Sequence, residues 1–179
     1  ALTPEEITQT TWKDMNEIRK MYRSDETTDN IDYIFDVIDN PVKDYGRIIG
    51  ATVKGTIDRP IGSHHPRHHE MIYSINYGYV DGTIAGDGAE QDVFVFGTEE
   101  PIDHFEGKVI AVYHRFNDVE DKWIVSVDGK DYSDDEILAR IAFQEQYFYG
   151  VLCRMRDRCI SGNSTGNYIS GCNEKGYCL

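Results

Sequence analysis

Lys108-Val109-Ile110-Ala111-Val112-Tyr113-His114, then a polar turn, then Lys122-Trp123-Ile124-Val125-Ser126-Val127-Asp128-Gly129: this pair of runs decides the fold. Both are rich in β-branched and aromatic residues, too short for buried helices, and flanked by turn residues, so they read as strands. The same texture appears at 48–57, 71–75 and 92–96, with Asp81-Gly82 and Asp87-Gly88 marking turns between runs. Five strands is the minimum count. No helical period intervenes between them, which favours a small closed barrel over alternating strand-helix-strand units.

Beyond the barrel, Ser133-Asp134-Asp135-Glu136 is a capping box, and Ile137, Leu138, Ile141 and Phe148 follow on one helical side. A C-terminal helix packed on the barrel is predicted. Toward the N-terminus, Thr3-Pro4-Glu5-Glu6 reads as a helix start, followed by Trp12, Met15, Ile18 and Tyr22 at helical spacing. Ile31, Ile34, Phe35 and Ile38 repeat the pattern before Pro41. The expected organisation is an accessory helical hairpin over 1–46, a barrel domain over 47–150, and a flexible cysteine-containing tail over 151–179. The predicted class is α+β, mainly β: a five-stranded OB-like barrel with a packed C-terminal helix and an N-terminal helical extension.

Composition narrows the partners. A formal charge of −14 would repel a nucleic-acid backbone rather than release its counterions. No apolar run approaches the roughly 20 residues of a membrane span, and the N-terminus lacks the basic start and apolar stretch of a secretory signal. The four cysteines, Cys153, Cys159, Cys172 and Cys178, crowd the last 27 residues, leaving the main body without a disulfide framework. These features predict a cytoplasmic protein with no membrane or nucleic-acid partner.

Chemistry concentrates in Tyr73-Ser74-Ile75-Asn76-Tyr77-Gly78-Tyr79 and in Asp87-Gly88-Ala89-Glu90-Gln91-Asp92-Val93. A glycine turn flanked by Asp87 and Asp92 can aim two carboxylates at one point, as hard divalent cations require; the same residues also suit a plain hairpin turn. In order and spacing the two segments resemble the signature of soluble inorganic pyrophosphatases, Tyr-Pro-x-Asn-Tyr-Gly and then Asp-Gly-Asp-Pro-x-Asp-Val. Ser74 and Glu90 stand where the signature has proline, and Ala89 stands where it has its middle aspartate.

The resemblance implies metal-dependent hydrolysis of inorganic pyrophosphate to two phosphates, with Mg²⁺ or Mn²⁺ as cofactor. It implies that Asp87 and Asp92 bind metal and that Tyr77 faces phosphate; Glu90, which adjoins the lost ligand and has a longer side chain, is expected to reach metal or water in its place. At its edges, Lys54-Gly55-Thr56-Ile57-Asp58 is similar to a Lys-Tyr-Glu-x-Asp strand, nominating Lys54 for phosphate, with Arg67 near the expected phosphate-binding arginine. In the loop 117–122, a gapped match gives Asn117 or Asp118 as one metal ligand, Glu120 or Asp121 as another, and Lys122 as a phosphate lysine. Tyr147 matches the tyrosine of a late Tyr-Lys pair whose lysine is Phe148 here.

Three features stay open at this point. His64, His65, His68 and His69 read either as a transition-metal site or as solvated loop histidines, and Pro66 breaks any helical i, i+4 pairing. The Cys-x5-Cys spacings are wider than those of structural zinc sites. The substitutions at Ala89, Thr56 and Phe148 leave two alternatives to full turnover: a weakened phosphate-binding protein and a hydrolase of another phosphoanhydride. A homo-oligomer is compatible with either.

Overall fold

The computed structural model describes residues 14, 16, 17, 20 and 32–155. Its elements are helix α1 (Asp32–Asp39), strands β1 (Thr52–Arg59), β2 (Asn76–Val80), β3 (Gln91–Phe96), β4 (His104–Arg115) and β5 (Lys122–Ser126), helix α2 (Asp134–Glu145), and strand β6 (Gly150–Cys153). The strands follow the order β1-β2-β3-β5-β4-β6, and a further β1–β4 pairing closes the first five into the predicted barrel. All pairings are antiparallel except β3 with β5.

Strand alternation gives the sheet two faces with different fates. Ile57, Val80, Val93, Val95, Phe105, Val109 and Val125, drawn from all five barrel strands, meet one another and fill the inside. Tyr77, Phe94, Ala111, Tyr113 and Ile124 point the other way and pack under Ile137 and Ile141 of α2. Tyr79, Asp92 and Lys122 continue that outer face beyond the helix, because Tyr79 pairs with Asp92 and Lys122 with Tyr113. The outer face is therefore apolar under α2 and polar at one end.

Helix α2 starts where the capping box places it, with Ser133 accepting from the Glu136 N–H and Glu136 reaching back to the Ser133 N–H. It ends at Glu145, so Phe148 lies past the helix rather than on it, and Leu138 is 40% exposed. Of the first predicted N-terminal helix only Asp14, Asn16, Glu17 and Lys20 are described, the last three helical, with Asp14 Oδ1 accepting from the N–H groups of Asn16 and Glu17; all cysteines but Cys153 fall outside the described residues. The second N-terminal helix is α1, with Phe35 buried and Ile38 exposed.

Three sequence expectations need correction. Residues 48–50 form a turn, and β1 starts only at Thr52. The apolar run 71–75 is buried at Tyr73 and Ile75 but is not a strand of the barrel: its backbone pairs locally with 62–65, through Tyr73 N–H to Ser63 C=O, Gly62 N–H to Tyr73 C=O and His65 N–H to Met71 C=O. Finally, residues 151–153, expected in a flexible tail, form β6 with Gly150. β6 pairs with Val112–Arg115, covers that edge of β4, and buries Cys153.

The boundary expected at 46 also falls inside a packed segment. Tyr45 and Ile49 are buried against Val112 and Cys153. The Asn40 amide donates to the carbonyls of Arg115 and Asp118, each at 2.8 Å.

Candidate active site

At the polar end of the outer face, three strands contribute to one cluster. Tyr77 on β2 donates its phenolic hydrogen to Asp92 on β3. Lys122, the first residue of β5, places its Nζ 2.6 Å from Asp92 Oδ2 and 2.5 Å from Glu120 Oε2. Glu120 also accepts from the Asp92 N–H at 3.2 Å. The Arg59 guanidinium lies 5.1 Å from the Tyr77 ring centre and 5.8 Å from that of Tyr73, while the Lys122 ammonium is 5.9 Å from the Tyr77 ring. Two cations therefore flank one buried phenol.

The electrostatics follow from partial burial. Loss of solvent, reinforced by the charge of Asp92, pushes the Tyr77 phenol well above its ordinary range, so it stays a donor. Burial raises the Glu120 carboxyl, and the Asp92 charge adds to this against the pull of Lys122. Asp58 is raised the same way, by burial and then by Asp92, with Arg59 opposing. Carboxylates held at a cost to their charged form, beside cations and on an open face, are the pattern of a working site.

Two other ionic clusters frame this one. Arg115 on β4 grips Glu145 of α2 through two bonds of 2.7 and 2.6 Å and reaches Asp118 at 2.8 Å. Asp121 turns away from the cluster: its Oδ1 is 2.8 Å from His114 Nδ1, and its Oδ2 accepts from Tyr45 at 2.7 Å and from Lys43 at 3.1 Å. Burial opposes ionisation of Asp121, but the hydrogen bonds from His114, Tyr45 and Lys43 outweigh it and lower its pKa.

Of the residues nominated from sequence, the structure brings together Tyr77, Asp92, Glu120 and Lys122. The others are placed elsewhere. Asp87 is exposed and accepts from the Ala89 N–H in its own turn, where Gly88 takes a φ of +87°. Glu90 accepts from the Gly82 N–H at 3.2 Å, tied to the neighbouring turn and not to Asp92. Lys54 pairs with Glu106 at 3.1 Å on the exposed surface. Asn117 accepts from the Tyr149 N–H, Asp118 serves Arg115, and Asp121 serves the N-terminal segment. Arg67 and Tyr147 line a separate cavity. Arg59 was missed, since its signal, an arginine directly after Asp58, is no motif by itself; the Arg115–Glu145 and Tyr45–Asp121 contacts were missed because their members lie 30 and 76 residues apart.

The model of the family described as inorganic pyrophosphatase matches residues 50–146, which span the barrel and α2. The chain belongs to the inorganic pyrophosphatase family. Similar solved structures include the inorganic pyrophosphatases of Neisseria gonorrhoeae (22% identity, 58% of this chain and 81% of that one, TM-score 0.42) and Thermus thermophilus (20%, 60% and 76%, TM-score 0.41). That of Ehrlichia chaffeensis is 16% identical over 57% of this chain and 84% of its own, with a TM-score of 0.45. The comparison with curated proteins finds no match. Family membership places this chain among metal-dependent hydrolases of pyrophosphate.

A metal centre built from protein ligands alone does not fit these residues. Among the described residues no three His, Cys, Asp or Glu side chains are grouped to hold an ion. Asp92 and Glu120 do fit a looser mode. Their carboxylates meet at one point with a single ammonium between them, and Mg²⁺ is commonly held by one or two carboxylates plus oxygens of a phosphate substrate.

Proposed function

We propose that pyrophosphate is hydrolysed at the Tyr77–Asp92–Glu120–Lys122 cluster, with Arg59 as the second phosphate cation. The observation that carries this reading is the convergence of four strands, β1, β2, β3 and β5, on one phenol, two carboxylates and two cations. Arg59 and Lys122 both lie within 6 Å of the same ring, as a pair of cations seating the two halves of a small polyanionic substrate would. Lys122 exchanges its carboxylate bonds for phosphate oxygens as charge moves onto the leaving group. Tyr77, held protonated, keeps donating throughout. Asp92 and Glu120, freed from Lys122, are the residues that would hold Mg²⁺ or Mn²⁺, which when bound supplies Lewis acidity toward water and phosphoryl oxygen.

The cysteine-poor body is consistent with the cytoplasm as the place of action, and among the described residues no helix is long and apolar enough to cross a membrane. The test is phosphate release from pyrophosphate by the full chain, with and without Mg²⁺. Release should require the ion and fall about a hundredfold in Lys122→Met and Asp92→Asn, the scale expected for loss of one electrostatic partner. Pyrophosphate binding without turnover would instead favour the weakened, phosphate-binding reading that Ala89 motivates. Wild-type rates in both variants would remove the chemistry from this cluster.

A further inference from the structure

Beside the cluster lies a cavity of about 380 Å³, within the roughly 300–1,000 Å³ typical of small-molecule sites. Tyr73 links it to the cluster: its ring stacks on His65 of the cavity lining at 6.2 Å and 15°, meets the Tyr77 ring at 5.4 Å and lies 5.8 Å from the Arg59 guanidinium. Its apolar wall comes from Met71, Tyr147 and Phe148. The last is pinned: the Arg115 guanidinium sits 3.6 Å from the Phe148 ring centre and is itself clamped by Glu145. Phe148 is thus a fixed aromatic face, which loses little entropy when a flat ligand covers it, while Tyr147 beside it is exposed.

The polar lining is specific. His65 Nδ1 accepts from the N–H groups of Arg67 and His68, so its proton sits on Nε2 and the ring is neutral. Burial, and then the positive charges of His68, Arg59 and Arg67, lower its pKa and keep it so. Glu70, at the same cavity, is 3.6 Å from His68 and offsets part of that charge. Gln144 also lines the cavity, and its Oε1 is buried with no hydrogen-bond partner. A buried acceptor without a partner is unfavourable, and a ligand N–H would supply the partner it lacks.

We infer that this cavity takes the planar nitrogenous base of a nucleoside diphosphate, stacked on Tyr147 and Phe148 and donating an N–H to Gln144, with its phosphates toward Arg59 and Lys122. Inorganic pyrophosphate has neither a flat apolar body nor a nitrogen donor, and leaves this wall bare. The inference rests on the reading that Arg59 and Lys122 seat phosphate. It extends the ligand class from the bare anhydride to one carrying a base.

Calorimetric titration of the full chain with adenosine diphosphate and with pyrophosphate tests this, alongside phosphate release from pyrophosphate. Adenosine diphosphate should bind at least tenfold more tightly than pyrophosphate. Gln144→Leu and Met71→Trp, which remove the acceptor and fill the cavity, should each weaken adenosine diphosphate about tenfold and leave pyrophosphate release within twofold. Hydrolysis of pyrophosphate with no preference for the nucleotide, or nucleotide binding indifferent to both variants, overturns the cavity assignment alone. Tight, Gln144-dependent nucleotide binding without pyrophosphate hydrolysis upholds the cavity and sinks the hydrolase reading.

Discussion

Tyr77 and its neighbours in the signature stretch have different settings: Tyr77 joins the polar cluster, while its neighbours carry structure. Its phenol is tied to Asp92, whereas the adjoining Asn76 is a staple: its Oδ1 accepts from the Ile61 N–H at 3.1 Å and its amide donates to the Glu100 carbonyl at 2.9 Å. Gly78 is demanded by close strand packing, since a Cβ there would lie 2.0 Å from the Thr56 carbonyl oxygen. Gly78→Ala should therefore cost several kcal/mol of stability in denaturant titration, a backbone clash being harder to relieve than a side-chain one. An unchanged midpoint would show that the two strands can part. In the same signature, Glu90 is turned to Gly82, so Glu90→Gln should leave phosphate release within twofold, and a tenfold fall would restore it to the site. That Tyr77 and Asp92 come together was legible because both sit on the paired strands β2 and β3 at fixed register. The directions taken by Asp87 and Glu90 were not legible, because sequence spacing does not specify how a turn with a left-handed glycine aims its carboxylates.

Helix α2 is held on the barrel by its apolar side, Ile137 and Ile141, and by the Arg115–Glu145 pair, both members of which are 3% exposed. The apolar side and the cap could be read from the 3.6-residue period; the ion pair could not, because it joins a strand to a helix 30 residues later. Removing one member of a buried pair leaves the other charge stranded, typically at about 3–5 kcal/mol. Glu145→Ala should therefore lower the thermal midpoint by about 10 °C. A far smaller shift would mean that water reaches Arg115. The same logic explains β6, whose four residues are too few to show a period and whose role is to cover the β4 edge. A chain ending at 150 should consequently be less stable than one ending at 155, and equal denaturation midpoints would show β6 to be dispensable.

Over the described residues the chain is a barrel with α2 packed on its outer face and residues 40–49 strapped to its flank. That strap, residues 40–49, reaches the active-site loop through a network that no local pattern reveals. Asn40 binds the carbonyls of Arg115 and Asp118, its own carbonyl is 2.8 Å from His114 Nε2, and Tyr45 and Lys43 both bind Asp121. Asp121 immediately precedes Lys122 and follows Glu120, so the strap holds the chain that presents both site residues. Because the folded-state pKa of Asp121 lies below its unfolded value, the network contributes stability that is present above the unfolded value near 3.8 and fades as pH falls through the lower folded value. Two consequences follow from the geometry. Asp121→Asn should cost about 2–3 kcal/mol at neutral pH, and its deficit relative to wild type should shrink on acidification below pH 4. A chain beginning at residue 50 should lose that stability as well and, with the loop no longer strapped, should release phosphate at least tenfold more slowly than one beginning at residue 32. If Asp121→Asn keeps the same deficit from pH 7 to pH 3, the carboxylate's charge is not what the network uses. If the two truncated chains match in midpoint and rate, the strap is an ornament of the fold and the loop holds Glu120 and Lys122 in place by itself.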